Sequence, residues 1–258
     1  MSRLDPTNAK RFSSILSECD QLLSDNRENF RFAREMGVEE HRLSRIGTVP
    51  GTGGVDVAAL SRRWQGRPSS RRAIIWPKAY ESPWSKALPV LEAFKSCWDQ
   101  IQPCEIFMFA AIPEVEMWYR TLPDPIREHS HIEPRMPRES VLDLTTRARV
   151  MLIPSLVDGT PNSLYEAMAA GALPIVSPLE TITPIVESEK NVLFARNLYP
   201  EEIAQALVRA MTDDELVDRA AERNLELVRR LADRERIRPR VIRFYEELAG
   251  MPGRERCS

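Results

Sequence analysis

The chain has 258 residues, of which 43% are hydrophobic and 29% are charged, and only 10 are glycine, a composition that excludes collagen-like and disordered chains. Its 36 lysines and arginines nearly balance its 38 aspartates and glutamates, so no overall positive field favours nucleic acid as a partner. No apolar stretch approaches the ~20 residues that a membrane span requires, and the first residues do not resemble a secretory signal. We therefore expect a globular, cytoplasmic protein without a transmembrane segment.

The cysteines and histidines do not form a metal-binding pattern. No two cysteines are separated by two residues, and none lies at a ligand-like spacing from a histidine. We therefore expect free thiols and no metal site. The residues are Cys19, Cys97, Cys104, Cys257, His41, His129 and His131.

The first seventy residues predict two helices around a short strand, followed by a linker. Helical periodicity covers residues 7–18 and 26–37, and a short apolar segment lies at 21–23. Four glycines are concentrated at 47–54, and an arginine-rich segment follows at 62–72. This composition is typical of a linker or domain boundary. Contact of the arginines with an anionic membrane surface is the alternative to a solvated linker.

Between residues 70 and 195, short apolar runs alternate with helical patterns. Unbroken apolar strands that alternate with helices predict an α/β fold, a doubly wound parallel sheet of the Rossmann-like type, with ligands at the carboxyl ends of its strands. The expected strands lie at 73–76, 105–109, 129–132, 150–153, 173–176 and 191–194. The expected helices lie at 84–100, 113–122, 137–148, 161–171 and 182–188, and a wholly helical tail follows at 201–211, 213–230 and 233–249.

Residues 154–171 are the most informative segment. They follow an expected buried strand, Pro161 opens a helix for which Thr160 is the expected N-cap, and Gly171 is the expected left-handed C-cap. The first free amides of such a helix lie beside the positive end of its dipole and form a site for a phosphate or diphosphate. These amides belong to Asn162, Ser163 and Leu164.

Two carboxylates frame this helix start. Asp158 lies on the loop before the helix, and Glu166 lies eight positions later, about five residues into the helix. Asp158 before Gly159 also fits an ordinary turn, and Glu166 also fits a solvated helix charge. The functional alternative for Glu166 is to accept hydrogen bonds from the two hydroxyls of a ribose.

This segment resembles the signature of the retaining family 4 glycosyltransferases, which have the GT-B fold. The family pattern is a strand, Pro-Ser, a few residues, then Glu-Gly-x-Pro, four intervening residues, and Glu-Ala-Met-x-x-Gly-x-Pro-Val-Val. The similarity covers about residues 18–248, and residues 54–56 (Gly-Val-Asp) resemble the link between the two domains of the family. The matching residues are Pro-Ser at 154–155, Asp-Gly-Thr-Pro at 158–161, Glu-Ala-Met at 166–168, Gly171 and Leu-Pro-Ile-Val at 173–176.

The resemblance implies a division of the chain into domains. Residues 1–46 are expected to be the last elements of an acceptor-side domain, and residues 47–72 the hinge. Residues 73–200 are expected to bind the donor, with helices at 201–250 packed on that domain and a tail at 251–258. The family's acceptor-side catalytic residues belong to the absent half, so no general base is assigned and a separate N-terminal half is an expected partner.

The resemblance also implies roles for individual residues. Glu166 would hold the ribose of a nucleotide-sugar donor, and Asp158, where the family has Glu, would contact the sugar. Lys78 and Lys86, near the first strand–helix turn, would neutralise the diphosphate without a metal, although both also fit ordinary solvated lysines. No cofactor is therefore expected. The other donor-binding candidates are Gly159, Thr160, Pro161, Asn162, Ser163 and Leu164.

The resemblance thus implies an enzyme, a glycosyltransferase, that passes a sugar from a nucleotide donor to an acceptor hydroxyl with retention. The expected acceptor is a glycan or a lipid-linked saccharide, which allows peripheral association with a membrane. A non-catalytic nucleotide-sugar-binding remnant or partner-dependent subunit is the alternative, favoured by the absence of the family's Gly-Gly pair at 177–184. A nucleotide-sugar epimerase is a third hypothesis. A dinucleotide oxidoreductase is disfavoured, because no Gly-x-Gly-x-x-Gly follows the first strand.

Overall fold

A computed structural model describes residues 6–250, which divide into two compact units. One unit combines the chain up to Gly54 with the chain from Ala232 onward, and the other spans Val55–Leu231. This division differs from the expected one at the last helix, which the sequence assigns to the donor domain and the structure groups with the N-terminal segments. The amphipathic pattern of a helix does not identify which neighbour covers its apolar face.

The first unit is a small α/β assembly around a two-stranded parallel sheet. Its core consists of Leu16, Phe30, Ala33, Val38 and Leu43. The elements are α1 (Pro6–Glu18), β1 (Leu22–Ser24), α2 (Arg27–Glu35), β2 (Leu43–Thr48) and α11 (Arg234–Ala249).

The second unit contains a six-stranded sheet with helices on its faces. The strands are β3 (Ala73–Trp76), β4 (Glu105–Phe109), β5 (Ser130–Glu133), β6 (Ala148–Ile153), β7 (Leu173–Val176) and β8 (Leu193–Phe194). The helices are α3 (Val57–Arg62), α4 (Leu88–Ile101), α5 (Pro113–Tyr119), α6 (Asp124–Glu128), α7 (Arg138–Thr145), α8 (Asn162–Ala170), α9 (Pro200–Thr212) and α10 (Asp214–Leu231). The predicted doubly wound α/β fold is confirmed.

The order of strands in this sheet is β5-β4-β3-β6-β7-β8, and every neighbouring pair is parallel. The chain builds outward from β3 in one direction and then restarts at β6 in the other. The point at which strand order reverses therefore lies between β3 and β6. In open α/β sheets, ligands bind beyond the carboxyl ends of the strands at this point.

Burial explains why the central strands form where the apolar runs predict them. All six residues of β6 and all four of β7 are buried, as expected for strands with helices on both sides. The C-cap of α8 also agrees with its prediction: Gly171 has φ +77°, in the left-handed region that favours glycine.

The predicted helix at 182–188 does not form: residues 182–185 make turns, and Ser188 forms an isolated parallel β-bridge with Val192. Pro184 lies within the predicted helix, where it removes an amide donor and disfavours helical geometry in the residue before it. The sequence pattern also does not predict β2, α3 or α6. The missed α3 had a local signal, since the Asp56 side chain accepts a hydrogen bond from Ala59 N at 2.7 Å and caps that helix.

Burial also affects the thiols of the second unit. It raises the pKa of both Cys97 and Cys104 to about 12, so these side chains behave as small apolar groups. Cys257 lies outside the described residues. Within residues 6–250, no group of three or more histidine, cysteine or acidic side chains is arranged to hold a metal ion. No helix in the same range has the length and apolar character to cross a membrane.

Candidate functional site at the switch point of the sheet

Two predicted site residues meet at the point where strand order reverses. Lys78 follows the end of β3 by two residues, and Asp158 lies on the loop after β6. Lys78 Nζ donates to Asp158 Oδ2 at 2.8 Å. The Lys78 side chain is 32% exposed and the Asp158 side chain 24% exposed. A cation and a carboxylate that the chain separates by 80 residues thus form one pair at the expected ligand-binding edge.

Lys86 lies nearby, on the segment that leads into α4, but it is held by a different carboxylate. Its Nζ donates to Glu81 Oε1 at 2.5 Å, and the other oxygen of Glu81 accepts from Ala87 N at 3.0 Å. The buried Asn197 side chain fixes the same segment, because it accepts from Lys86 N at 2.7 Å and donates to Lys86 O at 3.0 Å and to Pro154 O at 3.4 Å. Glu81 and Asn197 were not predicted as site residues.

The start of α8 differs from its prediction in one respect. The N-cap is Pro161, which has no side-chain cap, and the helix begins at Asn162, so the expected capping role of Thr160 is wrong. Thr160 is buried, and its Oγ1 donates to Thr181 O at 3.4 Å instead. The prediction that the Leu164 amide is free is also wrong. This amide donates to Pro161 O at 3.0 Å, because the N-cap carbonyl accepts the first hydrogen bond of the helix.

The hydroxyl of Ser163 is a candidate hydrogen-bonding group at this helix start. Ser163 is 9% exposed, and its Oγ has no hydrogen-bond partner among residues 6–250. A buried hydroxyl without a partner costs free energy unless a ligand or water satisfies it. The first turn of α8 carries the positive end of the helix dipole, which favours an anion.

Glu166 is largely buried and has an unpredicted partner. Its side chain is 14% exposed, and its Oε1 accepts from Arg138 at 2.5 Å. Arg138 is the first residue of α7, which follows β5, so this ion pair also belongs to the carboxyl-edge side of the strands. The only sequence signal for Arg138 is its position at the start of a helix that follows a strand.

The segment that departs from the family pattern, residues 177–184, is fixed to the site loop. Thr181 Oγ1 donates to Asp158 O at 3.0 Å, beside the bond from Thr160 described above. Ser177 Oγ accepts from Ser155 N at 3.0 Å at the start of the same loop. Hydroxyl side chains of residues 177–184, the segment where the family has a Gly-Gly pair, thus fix the backbone of the loop that carries Asp158.

The two neighbouring histidines bind a carboxylate at the opposite end of β4. His129 Nδ1 and His131 Nε2 lie 2.9 and 2.8 Å from the two oxygens of Glu105, the first residue of that strand. Partial burial tends to raise the pKa of Glu105, but the hydrogen bonds to both histidines outweigh burial and lower it. This geometry gives both histidines a structural role at that end of the strand.

A parallel sheet of six strands whose order reverses between β3 and β6, with helices on its faces, is a Rossmann-like domain. The family model described as "Glycosyl transferases group 1" matches residues 90–226, just over half of the chain. The chain therefore belongs to the group 1 glycosyl transferases. No curated protein sequence matches the chain significantly.

Solved structures share this fold at low sequence identity. HepE of Anabaena, in complex with UDP-glucose, is 12% identical with a TM-score of 0.75, and the alignment covers 96% of this chain and 69% of that one. Sucrose-phosphate synthase of Thermosynechococcus elongatus is 16% identical with a TM-score of 0.72, covering 96% and 63%. TarM of S. aureus is 11% identical with a TM-score of 0.68, and the alignment covers 95% of this chain and 48% of that one. At these identities, the similarity to the three structures shows a shared fold.

Proposed function

We propose that the second unit binds a nucleoside-diphosphate sugar at the β3–β6 switch point and that the protein transfers its sugar with retention to an acceptor hydroxyl. The observation that carries this proposal is the Lys78–Asp158 pair, 2.8 Å apart at the carboxyl edge. In a sugar nucleotide, the diphosphate is bonded directly to the sugar. Groups that bind these two parts must therefore be neighbours, as this ammonium and carboxylate are.

The diphosphate is assigned to Lys78, Lys86 and the start of α8. The leaving group gains negative charge as its bond to the sugar breaks, so fixed cations and a helix dipole stabilise the transition state more than the ground state. The Ser163 hydroxyl supplies a further donor, and the backbone around Gly159 and Pro161 shapes the loop. We assign no metal, because the lysines provide the positive charge.

The two carboxylates are assigned to the hydroxyls of the donor. Glu166 accepts from the ribose, and Asp158 accepts from the transferred sugar. Arg138 is a positioning residue for Glu166, since its guanidinium holds one carboxylate oxygen. Because UDP and UDP-glucose are bound in the HepE structures, a UDP-sugar is the first donor to test.

The reaction balances with the groups named. The acceptor oxygen forms a bond to the anomeric carbon, and the bond from that carbon to the diphosphate breaks with its electron pair left on the nucleotide. The acceptor proton leaves with the nucleoside diphosphate. No residue of the chain is assigned as the base.

The proposal is tested by incubating the protein with UDP-glucose and following the anomeric protons by NMR, with water as the acceptor. We expect slow release of UDP and of glucose that is initially the α-anomer. Binding without release would favour a non-catalytic or partner-dependent module, and an epimerised UDP-sugar would favour an epimerase. Initial release of the β-anomer would contradict retention.

A further inference from the structure

Most of the exposed large apolar side chains of the second unit lie at the edge of the sheet that carries the candidate site. The structure describes all of Val55–Leu231, which contains six such residues. Of these six, only Met117, on α5, lies outside the segments that border the candidate site. We call the other five the apolar rim. They are Trp84 (57% exposed), Leu88 (41%), Val157 (67%), Leu198 (53%) and Tyr199 (44%).

Backbone and amide hydrogen bonds join the segments of the apolar rim. Trp84 O accepts from Leu156 N at 2.7 Å and from Val157 N at 3.4 Å. Trp84 N donates to Ser82 Oγ at 3.2 Å. Asn197 precedes Leu198 in the chain, and its side chain forms hydrogen bonds with the backbone of Lys86, two residues after Trp84. The indole is thus exposed on a fixed segment rather than on an unsupported loop.

The apolar rim adjoins the proposed donor site. Val157 directly precedes Asp158, the residue assigned to the transferred sugar, and Trp84 lies two residues before Lys86. Group transfer requires the acceptor hydroxyl to approach the anomeric carbon. A surface beside the sugar-binding carboxylate is therefore within reach of the acceptor.

The charges around the apolar rim are compensated within the protein. Lys78 and Lys86 belong to the proposed donor site; next to Leu198 and Tyr199 in the chain, Arg196 pairs with Glu202. A ligand that contacts this surface gains little from carrying a charge but gains from burying apolar surface. An exposed cluster of this kind is typical of a binding surface.

We propose that the apolar rim binds the hydrocarbon part of an amphiphilic acceptor, with the acceptor hydroxyl directed at the donor sugar beside Asp158. The proposal rests on the proposed function and specifies its acceptor class as a sugar or alcohol that carries an alkyl chain. Trp84 and Val157 are the residues expected to contribute most, because they are the two most exposed side chains of the apolar rim.

The test compares n-octyl β-D-glucoside, below its micelle-forming concentration, with methyl β-D-glucoside in saturation-transfer NMR titrations. We expect the octyl compound to bind at least about tenfold more tightly, as expected for burial of roughly two methylene groups. We expect Trp84→Ser and Val157→Ser each to weaken octyl glucoside binding several-fold. Met117→Ser is the matched control, since Met117 is also 57% exposed, and it should leave binding unchanged.

Equal affinities for the two glucosides would overturn the proposal, as would equal losses from Met117→Ser and Trp84→Ser. UDP-glucose titrations of the same variants separate this proposal from the donor assignment. Trp84→Ser should retain UDP-glucose affinity, whereas Glu166→Gln should lose it and still bind octyl glucoside. If UDP-glucose does not bind while octyl glucoside binds through Trp84, the donor assignment fails and the apolar rim remains a binding surface without its acceptor role.

Discussion

The side chain of Glu166 offers the sharpest test of the donor site, because its proposed bonds to the ribose and its ion pair with Arg138 affect different measurements. It is 14% exposed and pairs with Arg138, whose side chain is 51% exposed. Replacing Glu166 by glutamine removes the charge and keeps the size. We expect this substitution to weaken UDP-glucose binding strongly while changing the stability of the protein little.

The expected magnitude follows from the bonds that are lost. A hydrogen bond to a charged acceptor contributes ~1.5–3 kcal/mol and a neutral one ~0.5–1.5 kcal/mol, so two ribose hydroxyls lose about 2–3 kcal/mol together. This corresponds to a roughly 30- to 150-fold higher Kd. Loss of the ion pair with the half-exposed Arg138 costs about 1 kcal/mol or less of unfolding free energy.

Isothermal titration calorimetry with UDP-glucose measures the first effect, and urea unfolding measures the second. Glu92→Gln is the matched control: Glu92 lies on α4, is 47% exposed and pairs with Lys95 at 3.2 Å. It should leave UDP-glucose affinity unchanged. A Kd for Glu166→Gln within about threefold of the unmodified protein would refute the assignment of Glu166 to the donor.

Three further predictions concern the same edge of the sheet and one helix cap. Lys78→Gln should weaken UDP and UDP-glucose binding equally in calorimetry, whereas Asp158→Asn should weaken only UDP-glucose; the reverse pattern would exchange their roles. Glu81→Gln should strengthen UDP binding by roughly fivefold, about 1 kcal/mol, because it frees the lysine and the amide at the start of α4, and weaker binding would contradict this. Gly171→Ala should lower the unfolding free energy in urea by ~1–3 kcal/mol, because φ is +77° and the new Cβ would lie 2.9 Å from the Trp64 ring; an unchanged midpoint would contradict this.

Local patterns were sufficient for much of the second unit. Unbroken apolar runs such as β6 identify strands that are buried on both faces, and the alternation with helices specifies a parallel sheet. The loop after β6, with Asp158 and Gly171 at either end of its helix segment, also follows from residue types and spacing. These features depend on neighbours in sequence.

The partners of the site residues could not be predicted in the same way. The bond from Arg138 to Glu166 joins residues 28 positions apart, and the bond from Lys78 to Asp158 joins residues 80 apart. Both depend on how β3, β5 and β6 are arranged, which periodicity does not specify. The N-cap of α8 was misplaced because Thr160, a good capping residue by type, is instead fixed by Thr181.

The central claim is that a sugar nucleotide binds at the switch point without a metal. The most direct measurement is a thermal-shift titration with UDP-, GDP- and ADP-sugars in the presence of EDTA, on the unmodified protein and on Glu166→Gln. We predict that one of the three nucleotides raises the melting temperature in a concentration-dependent way and that Glu166→Gln removes the shift. No shift with any of them, or an equal shift in the variant, would contradict the claim.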